Sequence, residues 1–374
     1  MTTNTEVHTS LRATCARDEL AGALGVVTRA LAVRGAVQVL GGVRLTAEGG
    51  RLELAATDME LSVRAEIAGE VSEGGRVVVP GRLFADLVRL LPAETVILTH
   101  EEGQTTLTVS SGRHTARLTT LSVEDFPQLP SLEVSMQEVP ASALLATIEK
   151  VARAASRDDS RPVLTGILVR FEGPQLTMAA TDSYRLAVKE TPLPAPGPDL
   201  DAIIPARALQ EVTRLAGATE TVELGIHENH VVFAAADVWL TTRRIDGQFP
   251  NYRQLLPDAF EVELELPRGP LLETIRRAAV LTQRNTPLRL RFSSDELRVS
   301  AQTQDVGEAE ETLPIAYGGE PLEIGFNPEF LRDGLEAIGA ETVEVKLINP
   351  LRPGLLASPS EGFWYLIMPI RLAG

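Results

Sequence analysis

The sequence predicts an α+β protein in which one unit is written three times. Three sets of matching segments carry that reading. LELAATDMELSVRAEI from Leu52, LTMAATDSYRLAVKET from Leu176 and LRVSAQTQDVGEAEET from Leu297 lie 124 and 121 residues apart. VVVPGRLFADLVRLL, AIIPARALQEVTRLA and EIGFNPEFLRDGLEAIG repeat a second landmark, with Pro80, Pro205 and Asn327 in one register. CARDELAGALGVVTRAL, ASALLATIEKVARAA and RGPLLETIRRAAVLT open the three copies. A near-constant period far longer than a solenoid repeat means duplicated domains.

Within a copy, the opening segment has helical spacing and the Thr-Asp segment alternates like a strand. At the second landmark a β-branched run breaks at a turn residue and a helix follows. Leu83, Leu87 and Leu90 are expected on the apolar face of that helix in the first copy. Each copy thus reads helix, strands, helix, strands, the pattern of two helices on a mostly antiparallel sheet. The first two copies close alike, on FPQLP from Phe126 and FPNYRQLLP from Phe249. The domains are expected at 1–130, 131–257 and 258–374. TPLPAPGPD, from Thr191 to Asp199, has a linker's composition. In register it matches AGEVSEGG of the first copy, so it is expected to be a loop inside the second domain.

Of the 374 residues 44% are apolar and only 4% aromatic, so the core must be aliphatic. One cysteine, Cys15, excludes an internal disulfide. With neither a secretory leader nor a long apolar run, a cytosolic location is expected. The net charge is −16, which for a uniform surface would repel nucleic acid. The distribution is not uniform, because the six helical segments together carry +5 and the remainder −21. If those helices share a surface, it is basic and suits weak, sequence-blind contact with a polyanion.

Catalytic signatures are scarce. There is no phosphate-binding glycine loop ending in Gly-Lys-Ser or Gly-Lys-Thr, no Gly-x-Ser-x-Gly elbow and no cysteine pair. His227 and His230 read as the flanks of a hairpin turn rather than metal ligands. Asp58 and Asp182 could be a carboxylate pair. Their repetition in equivalent domains instead favours side-chain bonds to their own backbone at a strand-end turn. Cys15 is expected on an apolar helix face and reads as core. A duplicated hydrolase would need a matched nucleophile and base, and none is present, so no catalytic residue, metal or cofactor is expected.

The residues resemble the bacterial sliding clamp family, the β subunit of DNA polymerase III, along nearly the whole chain. The resemblance rests on RGAVQVLGG at Arg34, both Ala-Thr-Asp phrases, RPVLTGILVRF from Arg161, DGQFPNYRQLLP from Asp246, EIGFNPEFL, and YLIMPIRL from Tyr365. It implies three repeated DNA-clamp domains, each with two inner helices and antiparallel outer sheets, and a head-to-tail homodimer closed into a ring around double-stranded DNA. The implied partners are DNA polymerase III and other polymerases, the clamp loader and repair proteins, which insert a short Leu- and Phe-bearing peptide into a hydrophobic cleft. No membrane partner is implied.

Carried over by position, the cleft comprises Leu164, Thr181, Ser183, Tyr184, Arg185, Leu186, Pro250, Leu255, Asn327, Phe330, Leu366, Met368, Pro369, Ile370, Arg371 and Leu372. Ser183 stands where a glycine is common in the family. Ala373 and Gly374 extend past the usual Arg-Leu ending. Residues expected toward DNA are Arg34, Lys150, Arg153, Arg157, Arg161, Arg207, Arg214, Arg276 and Arg277. Ala116 and Leu118, on an edge strand, are expected to meet Val280 and Leu281 of the partner chain.

Overall fold

Strand pairing crosses the borders between repeats. In a computed structural model that describes residues 10–32, 37–257, 259–283, 286–304 and 306–372, every ladder between named strands is antiparallel. Two compact units result: residues 1–141 with 214–244, and residues 142–213 with 245–374. The middle repeat is therefore divided, with its second half in the first unit and most of its first half in the second.

The first unit contains a five-stranded sheet ordered Glu70–Glu73, Leu11–Ala16, Thr95–His100, Thr106–Ser111, His114–Thr119. Its eight-stranded sheet joins Met136–Pro140, Thr221–His227, His230–Ala235 and Val238–Arg243 to Leu61–Ala68, Arg51–Thr57, Gly42–Glu48 and Gly75–Pro80. The second unit is built on the same plan. Its eight-stranded sheet runs Asp201–Pro205, Gly166–Glu172, Gln175–Thr181, Arg185–Pro192, Phe363–Ile367, Gly354–Ser358, Thr342–Leu347, Val262–Pro267. Four strands, Gly307–Pro314, Glu296–Thr303, Leu288–Ser293 and Leu322–Phe326, make its other sheet. The Pro-rich stretch after Thr191 connects two strands of one sheet, as its register implied.

The helices are α1 (Arg17–Val27), α2 (Gly81–Arg89), α3 (Ala141–Ala152), the single turn α4 (Pro162–Thr165), α5 (Ala206–Leu215), α6 (Arg268–Ala279) and α7 (Pro328–Ala337). Six of them match the six predicted segments. α1 packs on α2, and α6 on α7. The cores are aliphatic, with Leu20, Leu24, Leu45, Leu54 and Val79 fully buried in the first unit and Leu272, Ile275, Leu290, Leu335 and Val345 buried in the second. Each such side chain contributes about 1.5–3 kcal/mol on leaving water. The closing segments cover sheet faces: Phe126 packs with Val39 and Val78, and Tyr252 with Leu168, Leu186, Val188 and Leu366.

The buried face of α2 is not the one its leucines predict. α2 buries Gly81, Phe84, Ala85 and Val88, whereas Leu83 and Leu90 are 57% and 83% exposed. Both leucine and Phe/Val sets fit helical spacing, and the aromatic ring takes the sheet side because it removes more area from water. An apolar stripe is left facing outward.

Candidate peptide cleft and charged surface

The repeated Thr-Asp phrase builds the same turn twice. In the first copy Thr57 donates its hydroxyl to the Leu61 carbonyl at 3.0 Å, and the amides of Glu60 and Leu61 donate to Asp58 Oδ1 at 3.1 and 2.8 Å. In the second, Thr181 donates to the Arg185 carbonyl at 2.7 Å, and the amides of Tyr184 and Arg185 donate to Asp182 Oδ1 at 2.9 and 3.0 Å. Both carboxylates serve their own backbone, as the repetition suggested. Met59 and Ser183, at φ 80° and 79°, occupy the left-handed corner of each turn, a conformation that favours glycine.

The copies also differ at the residue that closes the turn. Leu61 follows the first turn, and Arg185 follows the second. Arg185 is buried. It donates from Nε to Asp182 Oδ2 at 3.0 Å, and from Nη1 to Asp333 Oδ2 at 2.6 Å and Tyr365 Oη at 3.2 Å. Its guanidinium stacks over the Phe330 ring at 4.3 Å. Burial works against the charge, but Tyr365, Asp333 and Asp182 outweigh it and raise the pKa. Burial also pushes the Tyr365 hydroxyl above its ordinary range. The arginine therefore ties the turn to α7.

Around that hub the C-terminal segment is strapped down. The Met368 amide donates to the Tyr184 carbonyl and the Ile370 amide to the Gly325 carbonyl, both at 2.8 Å. Asn327 caps α7 by accepting from the amides of Glu329 at 2.8 Å and Phe330 at 3.3 Å, and it lines a surface pocket of about 530 Å³ with Phe330 and Ile370. Thr181, Arg185, Leu186 and Leu366 are buried and form a floor, above which Tyr184 is 62% and Met368 42% exposed. Ser183, Leu255 and Arg371 are also exposed, while Leu164, Pro250, Pro369 and Leu372 are half-buried. Pro250 and Leu255 flank Tyr252, which packs on Leu186 and Leu366. Leu164 lies in α4, and Arg161, at the start of that turn, donates to Ser183 Oγ at 3.0 Å. All these residues belong to the second unit. Ala373 and Gly374 lie outside the described residues.

Of the cations expected toward DNA, Arg34 lies outside the described residues. Several others are held by acids. Lys150 pairs with Glu361 at 2.8 Å, Arg153 with Glu336 at 2.5 Å and Asp333 at 3.4 Å, Arg276 with Glu336 at 2.9 Å, and Arg277 with Glu311 at 2.6 Å. Sequence reasoning missed these pairs because their members are at least 34 residues apart. Arg161 is engaged by Asp158 at 3.2 Å as well as by Ser183. Arg157, Arg207 and Arg214 are exposed, the last two with contacts of their own.

The strand His114–Thr119 lies at a sheet edge, as expected for Ala116 and Leu118. Ala116 is half-buried, but Leu118 is only 7% exposed and belongs to the core, with little area to offer a partner. Val280 is 77% exposed just after α6, and Leu281 is half-buried. Cys15 is buried on the strand Leu11–Ala16 rather than on a helix face, and its thiol is pushed up to about 12, by burial first and Glu19 second, which favours the neutral thiol at neutral pH. His227 and His230 pair across a hairpin turned at Glu228, φ 49°. Among the described residues no group of acids, histidines or cysteines could hold a metal, and no helix is long and apolar enough to cross a membrane.

Comparison with known proteins matches the chain to the N-terminal, central and C-terminal domains of the DNA polymerase III beta subunit over residues 11–130, 138–251 and 253–371. A Streptomyces coelicolor relative, a beta sliding clamp, is 36% identical over 96% of this chain and 98% of its own length. The Escherichia coli beta sliding clamp is 32% identical over 97% of this chain and 100% of its own. Among solved structures, the DNA polymerase sliding clamp of Caulobacter crescentus has a TM-score of 0.91 at 29% identity, covering 97% of this chain and 100% of that one. The Pseudomonas aeruginosa sliding clamp bound to griselimycin reaches 0.89 at 29% identity, again over 97% and 100%. With all three domains matched in order over nearly the whole chain, the chain belongs to the DNA polymerase III beta subunit family, the beta sliding clamps.

Proposed function

We propose that two copies of this chain close head to tail into a ring around double-stranded DNA, tethering DNA polymerase III and other polymerases, the clamp loader and repair proteins by peptides bound in the cleft. The domains are 1–130, 131–257 and 258–374. The observation that carries this reading is the convergence, in one unit of a beta sliding clamp, of three distant stretches, 181–186, 327–330 and 366–372, on a half-exposed apolar surface with a rigid floor. Such a surface fits short Leu- and Phe-bearing peptides. Met368 adapts to different side chains, and each buried Leu or Phe contributes about 1.5–3 kcal/mol.

Retention on DNA would come from enclosure, with affinity kept low. The ion pairs of Lys150, Arg153, Arg276 and Arg277 support that view, because a phosphate must compete with an acid already in place. The interface we assign runs between the Ala116 and Leu118 strand of one chain and Val280 and Leu281 of the other. Two exposed edges favour it: His114–Thr119 carries His114 and Arg117, and Gly307–Pro314 carries Glu308 and Glu310. The protein acts in the cytoplasm as a non-catalytic tether.

The test is binding of a fluorescein-labelled decapeptide bearing Leu and Phe, read by anisotropy, with sedimentation of the same sample. Met368→Ala is expected to weaken the peptide by about tenfold or more, the loss of one buried apolar side chain, with a mass near twice 40.3 kDa unchanged. Undiminished peptide binding by this variant, or by a chain lacking its last seven residues, would rule out the cleft.

A further inference from the structure

The segment Met368–Leu372 leaves its sheet at Ile367 and is held by two backbone bonds, one at each sheet of the second unit. Its first amide reaches the Tyr184 carbonyl in the Thr-Asp turn, and its third reaches Gly325 in the neighbouring four-stranded sheet. Gly325 is buried and on its other side opposes Arg289 in the Leu288–Ser293 ladder, so its strand cannot retreat without breaking that ladder. A Cβ at position 325 would fall 2.6 Å from Leu372 Cδ2 and 2.9 Å from the Ile370 carbonyl oxygen. The leucine tip could swing aside, but the carbonyl is backbone and the segment must lift.

We infer that Gly325 is a positioning residue for peptide recognition: the missing side chain sets the depth of the C-terminal strap and hence the cleft wall from Met368 to Leu372. This rests on the peptide-cleft reading above and adds to it a residue that touches no peptide. Conformational freedom is not the reason for the glycine, since its φ is not in the left-handed region. The reason is close approach of a second backbone.

Gly325→Ala separates the two ideas. Amide exchange of Ile370 should accelerate at least tenfold, while amides of Leu288–Ser293 keep their protection and the sedimenting mass is unchanged. Affinity for the labelled Leu- and Phe-bearing decapeptide should fall at least tenfold. Ile370→Pro is the second variant: it removes the amide donor to Gly325 without adding an atom inside the sheet, and faster exchange of the Met368 amide is the expected readout, since Ile370 itself lines the cleft. Unchanged Ile370 exchange in Gly325→Ala overturns the inference, and so does faster exchange with full peptide affinity. If the wild-type protein binds no such peptide, the cleft reading fails by itself, and Ile370 exchange then decides whether Gly325 positions the strap.

Discussion

Arg185 concentrates the physical chemistry of the second unit in one side chain. Its two carboxylate partners, Asp182 and Asp333, are both shielded from water, and its third partner is the buried Tyr365 hydroxyl. Removing the guanidinium would leave Asp182 without its counter-charge and Asp333 with only the longer pairs to Arg153 and Arg332 at 3.4 and 3.5 Å. Breaking a buried pair typically costs about 3–5 kcal/mol, more than the intact pair contributes over an apolar replacement. Arg185→Ala should therefore lower the unfolding free energy by that order, with a correspondingly lower denaturant midpoint, and release Phe330 from its stacking partner. Arg185→Lys, a point charge without the planar fork, should recover only part of the loss. Stability within 0.5 kcal/mol of wild type for Arg185→Ala, measured by urea titration, would refute the hub. Half of this arrangement was legible in the sequence. Thr-Asp before a strand announces a turn that bonds its own backbone, and both copies form it. The link to Asp333, 148 residues away, has no local signature.

The elements show where periodicity alone stops being decisive. Helix existence followed from spacing in all six predicted segments. On α2, however, Leu83, Leu87 and Leu90 and the alternative set Phe84, Ala85 and Val88 both satisfy it. Only packing chose between them, and the choice exposes two leucines that a soluble monomer gains nothing by presenting. Substituting Leu83→Ser and Leu90→Ser together should change the monomer's stability by less than about 0.5 kcal/mol, as for surface sites generally. If a second chain covers the stripe, the same variant should dissociate at protein concentrations at least tenfold higher than wild type in sedimentation equilibrium, and an unchanged dissociation constant would show that no partner covers it.

A second element-scale prediction concerns acid. Burial alone would raise the Glu336 pKa, but hydrogen bonds from Arg153 and Arg276 outweigh it and hold the carboxyl below its usual range. Glu361 is lowered in the same way, against burial, by Lys150 and the Gly339 amide. A carboxyl depressed by folding stabilises above its unfolded value, about 4.3, and loses that contribution as pH falls through its folded value. The stability of the second unit should thus be flat near neutrality and decline below about pH 4.3. Glu336→Gln should be less stable than wild type at pH 7, with the gap narrowing toward pH 3 in urea titrations. A gap that widened in acid would reverse the sign and exclude these pairs as its cause.

For the whole molecule, the repeat explains more than a triplicated outline. Because the middle repeat divides its strands between two eight-stranded sheets, neither of its halves completes a sheet without strands from a neighbouring repeat. That exchange was hidden from the sequence, since a strand's alternation says which residues face inward and nothing about which strand lies beside it. The charge distribution was only partly readable for a related reason. Net charge along the sequence counts the cations on the helices, but tertiary pairing with Glu311, Glu336 and Glu361 sets how many are available to phosphates. A cation already held by an acid releases few counterions on meeting a phosphate, which makes the salt dependence shallow. A protein held by enclosure should therefore stay on closed circular duplex DNA through a wash at 0.5 M salt, a concentration that strips ordinary phosphate contacts, and leave when one restriction cut supplies an end. Equal retention on circular and linear DNA, followed by gel filtration of labelled protein, would mean that affinity holds it and that the chain does not encircle its template.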